Sequence, residues 1–291
     1  MQRTITYLFP DESKASHFKV FQDRNNQIKA FYFTKENIKE VEKLESANNY
    51  AIYFLFDNSE EGASKVYVGQ SVNGIGRISS HIRNKDFWTY CILFVTDNNS
   101  FDRLAIDYME YEFIKKLKKS SYVLMNKDLR TSEPNISIFD KPNLLSYIKQ
   151  IEFLLNAERI TLDEVKLTDE NNEMFYFPRY KNYTAKLFVK DGKFVLAKGS
   201  IIRRPIESSQ NWKSDRFYKK NNSVVDGYID DGKVVEDNGG YRLLFSISYD
   251  NPSTPSSLVT GRSTNGWKFF KGLNELRTMD KEEEPDWNIK K

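Results

Sequence analysis

Two short apolar runs joined by a polar stretch constrain this chain more than any other feature. Tyr50 to Phe56 is aromatic and β-branched and reads as a strand, and Lys65 to Gln70 reads as a second. The polar residues Asp57 to Ala63 between them make the pair an antiparallel hairpin. Ile75 to Arg83 then fits a helix whose apolar stripe is Ile75, Ile78 and Ile82. Tyr90 to Val95 is a third strand, and after Asp97-Asn98-Asn99-Ser100, with Ser100 as N-cap, a long helix runs from Phe101 to about Lys119. The order strand, strand, helix, strand, helix predicts an α+β or α/β layer structure around a small three-stranded sheet flanked by helices.

The rest of the chain divides around that block, which spans 46–130. Residues 1–45 are an N-terminal extension, with a loosely alternating strand at Ile28 to Phe33 and a helix beginning after Thr34. Residues 131–174 form a helical and acidic connector, with a helix over Asn143 to Glu158. From 175 to 275 the pattern is that of a separate β-rich α+β domain. Its clearest signal is the hairpin Ala185 to Lys190, Asp191-Gly192, Lys193 to Ala197, and a further strand is expected over Tyr241 to Tyr249. Residues 276–291 are a charged tail.

Charge and cysteine content narrow the function classes. The net charge of +3 is small, but residues 175–275 carry 17 Lys and Arg against 10 Asp and Glu, behind the acidic connector. A basic module of this kind suits a polyanion, and an ordinary solvated surface explains it as well. The single cysteine, Cys91, sits in an apolar strand, which excludes an internal disulfide framework and a cysteine-based zinc site. No run reaches the roughly 20 apolar residues of a membrane span, and no secretory pattern opens the chain, so a cytoplasmic protein without a membrane partner is expected.

Several polar residues stand where packing does not explain them. Arg77 and His81 are four apart on the helix face opposite the isoleucine stripe, although a solvated face accounts for such a pair taken alone. Glu112 has Lys116 at i+4, an ordinary surface pair. Glu110 instead has Ile106, Phe113, Ile114 and Leu117 around it, and a carboxylate on an apolar stripe needs a partner or a metal. Tyr53 and Tyr67 lie on adjacent strands that could turn both phenols to one place, with Gly69 permitting close backbone approach.

Together these residues resemble the GIY-YIG nuclease family over about 80 of 291 residues. Ala51-Ile52-Tyr53 stands for the first motif and Tyr67-Val68-Gly69 for the second; Arg77 and His81 match the family's helix pair, Glu110 its glutamate and Asn126 its late asparagine. Ala51 replaces the first glycine and Val68 an isoleucine, and neither change removes a chemical group. Gly192 to Lys271, with Ala197-Lys198-Gly199-Ser200 and Asn265-Gly266-Trp267, resembles an uncharacterised domain found behind bacterial nucleases of this type.

The resemblance implies a divalent-metal-dependent endonuclease acting on nucleic acid, most naturally DNA, in repair, restriction or defence. It implies Mg²⁺ or Mn²⁺ on Glu110, Arg77 on the scissile phosphate, Tyr53 as proton acceptor, His81 and Tyr67 positioning or relaying the proton, and Asn126 orienting groups near the metal. Substrate contacts are expected at Arg83 and Lys85, and at Arg203, Arg204, Trp212, Lys213, Arg216, Lys219 and Lys220. One active site cuts one strand, so a double-strand break calls for a homodimer or sequential nicking. The rival reading is a catalytically inactive nucleic-acid-binding or protein-interaction module on the same scaffold.

Overall fold

The computed structural model describes residues 2–57, 65–82, 85–96, 98, 100–120, 122–126, 132–162, 174–205 and 216–282, with backbone alone at 80–82, 216 and 278–282. They fall into two compact units, 2–162 and 174–282 among the described residues. The fold is mixed α+β, with three sheets and eight α-helices among these residues.

The first unit contains β1 (Ile5–Leu8), β2 (Phe18–Asp23), β3 (Ile28–Thr34), α1 (Ile38–Glu42), β4 (Ala51–Phe56), β5 (Lys65–Ser71), α2 (Gly74–Ile82), β6 (Tyr90–Thr96), α3 (Arg103–Leu117), β7 (Val123–Leu124) and α4 (Lys141–Ala157). The expected three strands are present as β4, β5 and β6, but the sheet has seven strands, in the order β1-β2-β3-β6-β4-β5-β7. The N-terminal segment makes the difference. β3 pairs with β6 along seven antiparallel positions, from Ile28 opposite Thr96 to Thr34 opposite Tyr90. What reads locally as an extension is thus almost half of the sheet, and the boundary expected at residue 46 falls inside the unit. A two-residue period cannot reveal this, because it marks a strand without naming its neighbour.

The sheet is buried on both faces. Ile52, Phe54 and Phe56 of β4 join Ile92 and Phe94 of β6 in a core completed by α3 and α4, through residues such as Phe113, Leu117, Ile151 and Leu155. Ala51, Tyr53 and Leu55 point the other way, into a core shared with Ile75 and Ile78 of α2, Val41 of α1, Trp88 and Cys91. Each fully buried aliphatic or Phe side chain contributes roughly 1.5–3 kcal/mol, which is what lets a sheet this hydrophobic exist without aggregating. The connector helix, α4, belongs to this core and not to a linker.

Capping and pairing refine the sequence reading of α3. Its N-cap is Asp102, whose carboxylate accepts from the Ala105 N–H at 2.7 Å, and not Ser100. A carboxylate there also meets the positive end of the helix dipole. Lys116, expected to pair with Glu112, reaches across to Glu152 of α4, while Lys115 takes Glu112 at 3.4 Å.

The second unit contains β8 (Leu187–Lys190), β9 (Lys193–Leu196), β10 (Ile201–Ile202), α5 (Arg216–Asp230), β11 (Val234–Asp237), β12 (Gly240–Leu243), β13 (Ile247–Tyr249), α6 (Ser253–Thr260), α7 (Gly266–Phe269) and α8 (Leu273–Glu282). The β8–β9 hairpin turns at Asp191 and Gly192, both at positive φ, as its Asp-Gly pair requires. The single strand expected over Tyr241 to Tyr249 is two strands in different sheets. β12 pairs with β10 and β11, and β13 pairs with β9. Between them the buried Ser246 hydroxyl accepts from the Lys198 N–H at 3.0 Å and fixes the break. No described helix is long and apolar enough to cross a membrane.

Candidate functional site

The unusual chemistry of the first unit gathers along β5. Gly69 lies opposite Tyr53 in the β4–β5 ladder. A methyl group on Gly69 would stand 2.5 Å from both Cζ and the hydroxyl of Tyr53, so the phenol ring crosses the strand where glycine leaves room. Tyr67, two residues earlier and on the same face, holds its ring centroid 6.1 Å from that of Tyr53 at 36°. Burial is the chief cause that lifts the Tyr53 phenol well above its usual pKa, and the charge of an ionised Tyr67 or Cys91 and a hydrogen bond with Tyr67 act the same way. Arg77 pulls in the opposite direction and does not prevail. Tyr53 therefore stays protonated at neutral pH.

Arg77 comes to this place on α2, whose other face is anchored by the buried Ile75 and Ile78. Its side chain is exposed, and its charge reaches the Tyr53 hydroxyl. Lys85 places its ammonium 3.9 Å from the Tyr67 ring centroid. The backbone there is held by Lys35, which donates to the Lys85 and Asp86 carbonyls and lies over the Trp88 ring. Two phenols with an arginine and a lysine beside them make a cluster suited to an anion. The His81 side chain, and Arg83, lie outside the described residues.

The opposite face of β5 carries the oxygen chemistry. Gln70 points toward α3 and donates from Nε2 to Asp107 Oδ1 at 3.1 Å. Met125 continues the short β7 pairing with an N–H to the Val66 carbonyl at 2.7 Å. Asn126 then takes the next rung with its side chain: its carboxamide accepts from the Val68 N–H at 3.1 Å and donates to the Val68 carbonyl at 2.8 Å. Asn126 thus closes the outer edge of β5 where strand pairing stops.

Glu110 is buried, as its apolar neighbours on α3 led one to expect. Gln70, near the end of β5, meets Asp107, while the chain leaving α3 returns to set Val123 and Leu124 beside Lys65 and Val66. α3 therefore runs antiparallel to β5, and Glu110, one turn beyond Asp107, stands between these levels, alongside Val68. Tyr53, Tyr67, Arg77 and Lys85 thus gather on one face of β5 and Glu110 lies on the other, with Asn126 at the strand edge between them, beyond the β7 pairing. Gln70 and Asp107 were not singled out from sequence. Their signal was available, since Gln70 follows the close-approach glycine and Asp107 sits three residues before the odd carboxylate.

The basic residues expected to contact nucleic acid in the second unit are differently placed. Arg203 donates to the Val259 carbonyl at 2.8 Å and to the Asn182 carbonyl at 3.5 Å, with its guanidinium over the Tyr183 ring. Arg204 binds Tyr241, Asn222 and Asp226. Lys219 is exposed on α5 and Lys220 is half-buried. Trp212, Lys213 and the Arg216 side chain lie outside the described residues. Deeper in this unit, Lys233 is fully buried, 3.1 Å from Asp231, and burial depresses its ammonium pKa despite that partner. The buried Tyr228 and Tyr249 hydroxyls share a hydrogen bond of 3.2 Å.

Residues 175–282 match a family described as Domain of unknown function (DUF4357), which covers most of the second unit. Neither the curated proteins nor the solved structures contain a match to the chain.

Proposed function

We propose that the first unit is a divalent-metal-dependent phosphodiesterase of the GIY-YIG type that cuts nucleic acid, DNA first among its substrates. The observation that carries this reading is the arrangement around the edge of β5: two phenols with an arginine on one face, a buried carboxylate on the other, and an asparagine clamped to the edge between them. Phosphodiester hydrolysis needs a held phosphate, an aligned water and charge neutralisation, and these groups match those needs.

Among the described residues no group of three or more His, Cys, Asp or Glu converges. The protein would hold a cation with few side chains, Glu110 foremost, and buried oxygen donors fit Mg²⁺ or Mn²⁺, which keep several waters. When bound, such a cation neutralises phosphate charge and acidifies water. Arg77 and Lys85 bind and orient the phosphodiester. Tyr53, kept protonated by its burial, serves as a hydrogen-bond donor that aligns the reacting groups and not as the base. The His81 imidazole, whose ordinary pKa lies near neutrality, is then the proton acceptor in this reading, with Tyr67 positioning it. Asn126 holds the β5 backbone between Tyr67 and Gly69, so it acts by fixing the two tyrosines in register.

Incubating supercoiled plasmid with the full chain in Mg²⁺, Mn²⁺ or EDTA, beside Glu110→Ala, tests the reading. Metal-dependent nicking that drops at least about a hundredfold in the variant is expected. Nicking that survives in Glu110→Ala, or that ignores EDTA, would overturn it.

A further inference from the structure

Gln70 is 6% exposed, and its Oε1 atom is buried without a hydrogen-bond partner among the described residues. An unsatisfied buried acceptor costs about 1–3 kcal/mol, so native proteins rarely keep one without a use. Its orientation is not arbitrary. Asp107 offers only acceptors to the amide, so the NH₂ end must face Asp107 and the oxygen must face away from it. Asp107 in turn is held by Arg103, 3.6 Å away on the preceding turn. The oxygen is left in the layer between β5 and α3, where Glu110 follows Asp107 by one helical turn and faces the same strand.

We infer that the Gln70 Oε1 atom is a second protein oxygen ligand at the divalent-cation site of Glu110, with Asp107 as the residue that positions it. This rests on the proposed metal-dependent site and adds a donor to it. An amide oxygen beside a carboxylate is a hard, neutral donor of the kind Mg²⁺ and Mn²⁺ accept, and it adds no charge repulsion to a buried position. A bound cation also removes the cost of the orphaned oxygen, so cation binding and local stability are linked. The neighbouring buried carboxylate makes a cation, and not an anion, the ligand that this oxygen can meet.

The test is Mn²⁺ binding to the full chain, read by the loss of the free-ion electron paramagnetic resonance signal, together with melting temperature with and without Mn²⁺. Four variants are compared with the parent: Gln70→Leu, Gln70→Glu, Asp107→Ala and Glu110→Ala. Gln70→Leu keeps the volume and removes the orphaned oxygen together with the bond to Asp107, which keeps its Arg103 partner. It should melt no lower than the parent in EDTA, yet bind Mn²⁺ about tenfold more weakly and lose most of the Mn²⁺-induced rise in melting temperature. Gln70→Glu should restore binding to at least the parental level. Asp107→Ala should weaken Mn²⁺ binding in the same direction by freeing the amide to rotate.

Parental Mn²⁺ affinity in Gln70→Leu would overturn the inference while leaving Glu110 as sole ligand, provided Glu110→Ala has lost binding. A Gln70→Leu chain that melts far lower in EDTA, with Gln70→Glu failing to recover Mn²⁺ binding, would overturn it in favour of a packing role. Parental affinity in Glu110→Ala as well would sink the metal site itself, and with it the proposed function.

Discussion

The two units treat buried polarity in opposite ways. In the second, each conspicuous polar group has a partner close by. Lys233 has Asp231, Tyr228 has Tyr249, and the half-buried Arg203 has the carbonyls of Val259 in α6 and of Asn182 ahead of β8. In the first, β5 and its neighbours carry a phenol lying across a glycine and, in Gln70, a buried amide oxygen with no hydrogen-bond partner among the described residues. The basic surplus of the sequence lies in the second unit, yet the chemistry that needs explaining lies in the first. Local mismatch between a polar group and its surroundings is the better guide to a working site than net charge, because charge on a surface costs little to place and an unmatched group inside costs several times more.

The comparison can be broken most forcefully at Lys233. Replacing it by Met leaves the Asp231 carboxylate, itself buried, without its cation, and should cost about 3–5 kcal/mol in the unfolding of the second unit, measured by calorimetry of the full chain. The pH dependence carries a sign. Because burial lowers the folded pKa of Lys233, the unfolded chain holds the extra proton between that lowered value and the ordinary one near 10.4. Stability should therefore rise with pH across that window. Above about pH 10 the raised phenols of Tyr228 and Tyr249 reverse the trend, since the unfolded tyrosines ionise first. Lys233→Met should abolish the rise and keep the fall; a rise that persists would show that the lysine is not the matched group.

A smaller effect sharpens the other side. Gly69→Ala puts a methyl group 2.5 Å from the Tyr53 ring and should destabilise the first unit by about 1–3 kcal/mol while moving the phenol. Plasmid nicking should fall further than the melting temperature alone accounts for. Unchanged nicking would mean that the Tyr53 position is irrelevant to the reaction.

The smallest effect concerns Arg203. Its bonds to Val259 and Asn182 make it a brace, so Arg203→Ala should cost about 1 kcal/mol of stability and leave the salt dependence of DNA binding unchanged. A drop of about one in the slope of log affinity against log salt would mean that Arg203 contacts a phosphate, as its sequence neighbourhood had suggested.

Much of the fold was legible because it is written in local patterns. The strands at 51–56, 65–71 and 90–96 lie within a residue or so of their expected ends, and Asp191-Gly192 marks its hairpin by a conformation that few other pairs adopt. What was not legible was long-range pairing. Nothing in Ile28 to Thr34 announces that β6 is its partner, and nothing in Tyr241 to Tyr249 shows a break that depends on Ser246 reaching Lys198. At the site, Tyr53, Tyr67, Arg77 and Glu110 stood out as residues that packing does not explain. Gln70 did not, because an amide betrays a special role only when its partners, or their absence, can be seen. Arg203 and Arg204 show the same limit: a basic pair in sequence does not say whether carbonyls and carboxylates already surround it.

The pairing of β3 with β6 also sets an order of events. The β2–β3 hairpin leaves the ribosome before β6, with Phe21, Phe31 and Phe33 to bury and one edge of β3 unpaired, and it must wait for β6, made later, to cover that edge. The two tyrosines of β4 and β5 are assembled only after this delay, since β4 too docks onto β6. Shortening the chain from its N-terminus would therefore not release a smaller working core; it would strip seven backbone positions of β6 of their partners and leave a sticky strand in place of a buried one.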